Sequence, residues 1–211
     1  MSNKQAIVAA GMVAVLLGGG LMVLDSPTPL PTPQVAVSAP QHPAVVLLEM
    51  PGGGRGSGVV IAPDWVLTCL HCGDANKAGG LSVHRLIPMP GAPDMALMYV
   101  PGLRADHYVP LASEAARLHD PVSAYGYHLG RQFQKTDGYQ GTEPEQMSAP
   151  IIHGCSGGAV VNADGELLGV ITWVAYTGTY YGRDGYALPH MSGYTPITGD
   201  LRAFILKTLS E

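Results

Sequence analysis

Short apolar runs punctuated by Gly and Pro turns, a low charge content and one helical pattern at the C-terminus predict an all-β protein. The expected architecture is a barrel or sandwich with a terminal helix, preceded by a membrane segment. The chain has 211 residues, 46% of them apolar and 13% charged, with 28 Gly and 18 Pro. That charged fraction is about half of the ~25% usual in soluble domains, which suits turn-rich strands better than a helical bundle. Acidic residues outnumber basic ones, 16 to 11, for a net charge of −5. With no basic run, no nucleic-acid partner is expected.

Residues 1–25 read as a transmembrane signal-anchor. Ala6 to Leu24 carry no charge, and at ~1.5 Å rise per residue they nearly span a ~30 Å hydrocarbon core. Lys4 precedes the run and no Lys or Arg follows before Arg55, so the N-terminus is expected in the cytoplasm and the remainder outside it, periplasmic or at the cell surface. A cleaved signal peptide, giving a secreted protein, is the competing reading. Residues 26–43 are Pro-rich (Pro27, Pro29, Pro31, Pro33, Pro40 and Pro43) and form an extended, semi-rigid linker. Residues 44–211 suit one folded domain.

Within that domain Ala44 to Met50 is a first apolar run, closed by Pro51-Gly52-Gly53-Gly54. Gly58–Ile61 and Trp65–Thr68 flank the turn Ala62-Pro63-Asp64, a hairpin pattern. Met95–Val100 and Val122–Tyr127 are further strands. Ala159–Val161 and Leu167–Val174 are joined by Asn162-Ala163-Asp164-Gly165-Glu166, the strongest hairpin signal in the chain. Tyr180-Tyr181 and Tyr186–Leu188 flank another. Leu201, Phe204, Ile205 and Leu209 share one helical face, with Thr198 or Asp200 as cap.

Three separated motifs carry chemistry. In Gly154-Cys155-Ser156-Gly157-Gly158, glycines on both sides of a serine allow a tight turn whose amides, those of Gly154 and Ser156, form an oxyanion hole. One such donor is worth about 3–4 kcal/mol of barrier. A serine hydroxyl needs a base beside it. The apolar strand Trp65–Thr68 runs into Cys69-Leu70-His71-Cys72, offering His71, whose ordinary pKa of about 6.5 suits that task. Asp94 opens the run Met95–Met98 and offers a carboxylate to orient the imidazole. Asp74 and Asp106 are weaker candidates for that acid.

Taken in the order His, Asp, Ser, the stretches "GSGVVIAPDWVLTCLHC", "PDMAL" and "GCSGGAVVNADGELLGVITW" resemble the trypsin-like serine proteases of the chymotrypsin fold. The closest flavour is the bacterial HtrA-type protease domain, without a PDZ domain. The resemblance implies two six-stranded β-barrels with a C-terminal helix. It also implies a serine endopeptidase in which His71 is base, Asp94 its orienting partner and Ser156 the nucleophile, with no cofactor and no metal. Substrate would be a polypeptide, the chain's own linker included. By the family register, Pro150 sits at the base of the substrate pocket and His153 at its rim, with Thr172, Trp173 and Val174 along its edge. Pro150 in place of an acid disfavours Lys or Arg before the scissile bond; Asp184 keeps a basic preference open.

The cysteines depart from the family pattern. Cys155 replaces the residue before the nucleophile, which removes activation by a new N-terminus. Cys72 matches a position that forms a disulfide in animal enzymes, but the partner position holds Gly56. Three buried thiols, or a bridge from Cys69 or Cys72 to Cys155, are both open. Zinc at Cys69, His71 and Cys72 matches no standard spacing and would consume the base. A protease-like binding or scaffold protein without turnover is the alternative; the intact His, Asp and Ser argue against it.

Overall fold

The computed structural model of the chain describes residues 44–105, 108–175 and 191–211, all within the compact unit Thr32–Glu211. The expected anchor and linker lie outside the described residues, as do Asp106, Asp184 and the expected 180–188 hairpin. Among the described residues no helix is long and apolar enough to cross a membrane.

The strands are β1 (Val45–Glu49), β2 (Arg55–Ala62), β3 (Trp65–Thr68), β4 (Lys77–Ala78), β5 (Leu81–Ser82), β6 (Arg85–Pro88) and β7 (Ala96–Tyr99), then β8 (Pro121–His128), β9 (Gln132–Tyr139), β10 (Gln146–Met147), β11 (Ala159–Val161), β12 (Leu167–Ala175) and β13 (Met191–Pro196). Among the described residues they form two curled sheets, one of seven strands ordered β5-β4-β1-β2-β3-β7-β6 and one of six ordered β10-β13-β12-β11-β8-β9. The first sheet thus carries one strand more than the six expected. Among its strands, the short β4 and β5 are built from Lys-Ala and Leu-Ser pairs around Gly79-Gly80. A run this short has no periodicity to read.

Strand periodicity sorts the side chains into three cores. Val59 and Ile61 of β2 join a cluster that also takes Leu67, Leu97, Val170, Leu201 and Ile205, drawn from both sheets and the terminal helix. Val60, between them, points the other way, into a cluster with Leu48, Val66 and Met98 inside the first sheet. β11 repeats the pattern: Ala159 and Val161 face the shared cluster, and Val160 faces Ile171 and Tyr194 inside the second sheet. A register shift between Val160 and Val161, where Val161 pairs with Leu167 and Val160 with Gly169, moves β12 by one residue and keeps both its faces apolar.

The single α-helix among the described residues, α1 (Gly199–Leu209), is capped by Thr198, whose Oγ1 accepts from the Leu201 amide at 3.4 Å. It buries Leu201 and Ile205, and Phe204 and Leu209 pack against the shared core, as the helical spacing requires.

Candidate active site

β3 ends at Thr68, and Cys69 keeps an extended backbone (φ −78°, ψ 148°) before one 3-10 turn, Leu70–Cys72. The turn is closed by the Cys72 amide donating to Cys69 O at 3.1 Å and the Gly73 amide donating to Leu70 O at 2.8 Å. It leaves His71 exposed and buries Cys72. Because β3 pairs with β7 in the register Thr68 opposite Ala96, the residues just before Ala96 run alongside this turn. Asp94 uses both oxygens there: Oδ1 accepts from the His71 amide at 2.9 Å, and Oδ2 lies 2.7 Å from His71 Nδ1. A carboxylate on Nδ1 holds the proton on that nitrogen and leaves Nε2 as the acceptor. Asp74, the weaker candidate, is exposed and makes no such contact.

Ser156 sits in a loop bent by two glycines of positive φ, Gly154 (+92°) and Gly157 (+81°). At Gly157 a Cβ would strike Ser57 O and Thr68 Oγ1, so both the bend and the closeness of β2 exclude a side chain. His153 O accepts from the Leu129 amide at 2.8 Å, and Cys155 O accepts from the Gly158 amide at 2.9 Å. Each carbonyl fixes the plane of its own peptide, hence the direction of the Gly154 and Ser156 N–H groups. Among the described residues neither of these two amides is spent on another acceptor.

Buried Ser57 ties this loop to the first sheet. Its amide donates to Ser156 O at 2.8 Å, its Oγ donates to Gly154 O at 2.8 Å, and the same Oγ accepts from the Tyr127 amide at 2.9 Å. Thr68 Oγ1 in turn donates to Ser57 O at 2.8 Å. One hydroxyl therefore connects β2, β8 and the serine loop, and sequence reasoning missed it. The available signal was a polar residue flanked by glycines in an otherwise apolar strand.

All three cysteines are free and buried, the first of the two arrangements left open above, and the alternative bridge to Cys155 is absent. The reason is position: Cys69 and Cys72 belong to the first sheet's core and Cys155 to the second's. Gly56 does stand against Cys72, since a Cβ on it would lie 2.7 Å from Cys72 Sγ. His71 Nε2 faces Cys69 Sγ at 3.4 Å; among the described residues no hydrogen bond joins it to Ser156 Oγ. The neighbouring Cys69 thiol, together with the adjacent imidazole, lowers the Cys72 thiol to about 6, against the pull of burial; Cys72 Sγ itself is placed to donate to Ser156 O at 3.8 Å. The neighbouring Cys72 thiol, then burial, pushes the Cys69 thiol up. Cys72, then Asp94, hold the His71 imidazolium up to about 9, while partial burial works against them. Cys69 is the sulfur at hydrogen-bonding distance from the ring, while Cys72 favours the imidazolium more strongly. Burial alone pushes Cys155 up to about 11.

A groove of about 550 Å³ runs beside this centre, lined by Asp94, Glu145, Thr172, Trp173, Tyr194 and Leu201 among others. Gly193 makes room for its wall, because a Cβ there would enter the Trp173 indole. Of the expected substrate-binding residues, Thr172 and Trp173 line this groove. Pro150 lies elsewhere, in a narrow space with Gly126, Thr136 and Cys155. Val174 packs against the second sheet's core, and His153 is exposed. Glu145 and Tyr194 carried no sequence signal, because only tertiary pairing of β10 with β13 brings them there.

Residues 56–170 match the family model described as trypsin-like peptidase domain. No curated protein matches the sequence significantly. Among solved structures, the active form of the Rv3671c protease from M. tuberculosis is similar, with a TM-score of 0.57 and 23% identity over 86% of this chain and 93% of that one. An inactive form of the Rv3671c protease gives 0.59 and 21% over 78% and 88%. The serine endoprotease from Yersinia pestis gives 0.59 and 22% over 79% of this chain and 62% of its own. At these identities the structures share the fold, while the family model covers more than half of the chain. The chain therefore belongs to the trypsin-like peptidase domain family and is a serine endopeptidase.

Proposed function

We propose that the protein cleaves peptide bonds through an acyl-enzyme on Ser156, tethered to a membrane by residues 1–25 and acting outside the cytoplasm. The observation that carries the catalytic part is the doubly bonded His71–Asp94 pair, with both Asp94 oxygens committed to one residue. His71 Nε2 takes the proton from Ser156 Oγ as that oxygen attacks the carbonyl carbon. Asp94 stabilises the imidazolium so formed. The Gly154 and Ser156 amides, oriented through His153 O and Cys155 O, receive the oxyanion. The imidazolium returns its proton to the leaving amine, and water repeats the sequence on the acyl-enzyme. The Ser156–His71 hydrogen bond closes when substrate occupies the cleft, as apo geometries commonly require. By the family register alone, Pro150, His153 and Val174 would border the pocket before the scissile bond, which then takes a small or medium apolar side chain. Thr172 and Trp173 hold the preceding residues.

The test is turnover of a peptide substrate series by the full chain in mild detergent. Ser156→Ala and His71→Ala abolish turnover, and Asp94→Asn costs about 10⁴-fold in kcat. Substrates with Ala or Val before the cut exceed those with Arg. Turnover surviving in Ser156→Ala refutes the acyl-enzyme; an Arg preference refutes the pocket assignment. For topology, protease added to spheroplasts, from which the outer envelope has been removed, degrades the C-terminal domain, and full protection of that domain contradicts the placement.

A further inference from the structure

The turn that presents His71 also presents two thiols on the same side. Cys69 precedes the 3-10 turn and Cys72 ends it, and the Cys72 amide bonded to Cys69 O holds their spacing. The Sγ atoms and one His71 ring nitrogen all lie within 4.8 Å of one another. The nitrogen facing sulfur is Nε2, 3.4 Å from Cys69 Sγ. Tetrahedral zinc with its usual Zn–S and Zn–N bonds sets a sulfur–nitrogen edge of about 3.5 Å. A point within about 2.6 Å of all three atoms exists in this arrangement, close to the ~2.0–2.3 Å of zinc bonds.

We propose that Cys69 Sγ, His71 Nε2 and Cys72 Sγ form a site for a thiophilic cation of the zinc class, and that the bound ion switches the peptidase off by occupying the lone pair of its base. The regulatory half rests on the catalytic role given to His71 above; the binding half does not. Two features beyond the ligand triangle support the site. Asp94 Oδ2 on Nδ1, at 2.7 Å, is the carboxylate–histidine–metal arrangement that fixes the tautomer and aims Nε2. The His71 side chain is 48% exposed, which gives an ion a path from solvent. The sulfurs are shielded, Cys69 being 0% and Cys72 2% exposed, so a bound ion faces water on the ring side alone, where a fourth ligand completes the tetrahedron. Three protein ligands with one open position match zinc chemistry; two sulfurs and a nitrogen exclude magnesium and calcium, which take oxygen. On binding, each thiol gives up its proton to solvent and nothing is oxidised. Ser156 then has no acceptor for its own proton, and chelation restores it.

Cobalt(II) is titrated into the full-length Ser156→Ala chain in mild detergent with a phosphine reductant, and zinc is then added as competitor. The expected result is a one-to-one thiolate-to-cobalt charge-transfer band with intense tetrahedral d–d bands, bleached by zinc. Cys69→Ala and Cys72→Ala each lose the band, and His71→Ala weakens and shifts it. With Ser156 present, zinc inhibits peptide turnover reversibly. Cys69→Ala, scaled to its own metal-free rate, needs at least about tenfold more zinc, the scale on which zinc sites lose affinity. No charge-transfer band in folded protein overturns the site, as does a band that survives in both cysteine variants. Recovery of the two thiols as a reductant-resistant disulfide also overturns it. The band without zinc inhibition of an active enzyme overturns the switch. A chain that binds cobalt and never turns over substrate upholds the site and refutes the function above.

Discussion

Ser57→Ala separates the positioning of the serine loop from everything else that the loop does. The substitution removes one oxygen and with it two hydrogen bonds, the one donated to Gly154 O at 2.8 Å and the one accepted from the Tyr127 N–H at 2.9 Å. Ser57 is 0% exposed, so water does not substitute freely. Each hydrogen bond removed from a buried group costs about 1–3 kcal/mol, and some relaxation of the loop is available, so the sum is about 2–4 kcal/mol. For a chain of this size that lowers Tm by roughly 5–10 °C. Activity falls for a separate reason. Gly154 O no longer anchors the loop, and the Gly154 amide loses part of its aim at the oxyanion. Full loss of such a donor costs about 3–4 kcal/mol; a loosened donor forfeits about 1–2 kcal/mol, roughly 5- to 30-fold in kcat. KM stays nearly constant, because the groove at Trp173 is built by β12 and β13. The assay is thermal unfolding plus steady-state kinetics, with Ser123→Ala as control. That variant removes a hydroxyl bonded to Asp137 at 2.6 Å, away from the loop, and is expected to cost stability without cost in kcat. An unchanged kcat in Ser57→Ala, or an equal loss in Ser123→Ala, refutes the positioning argument.

Other consequences are sharp as well. His71 must be neutral to accept a proton and its imidazolium is held up to about 9, chiefly by Cys72; with a chelator present, kcat/KM therefore rises with pH until about 9. Cys72→Ala brings that acidic limb down towards the ordinary imidazole range of about 6.5, and a limb that stays put contradicts the role given to Cys72. Gly193→Ala drives a Cβ into the Trp173 indole, an overpacking of about 1–3 kcal/mol. It should raise KM for extended peptides several-fold, with an altered tryptophan emission and little loss in kcat; unchanged KM would separate the groove from substrate binding.

The parts of the fold legible in the sequence were those whose signal is local. The β2–β3 and β11–β12 hairpins follow from apolar runs on either side of compact turns, and α1 from one apolar face behind the Thr198 cap. β9 was invisible because Gln132, Gln134, Lys135 and Asp137 make its sequence polar. It is a strand because β8 pairs with it along its whole length, a tertiary decision. β13, with Ser192 and Gly193, is hidden in the same way. At the site, His71, Asp94 and the glycines around Ser156 could be read because their residue types are demanded by chemistry and backbone geometry. Ser57 could not, since its role exists only once β2 lies against the serine loop. The Cys69–His71–Cys72 triangle was seen and set aside on sequence spacing, whereas it is the 3-10 turn that brings the three atoms together.

The most direct test of the central assignment is intact-mass analysis after treatment with a fluorophosphonate, which reacts only with a serine activated by its surroundings. The full chain and its Ser156→Ala variant would be compared, both shown to be folded and both kept with a chelator and a reductant. A single adduct on the first and none on the second is the predicted result. No adduct on the folded parent chain, or an adduct that persists in Ser156→Ala, contradicts the claim that Ser156 is the nucleophile.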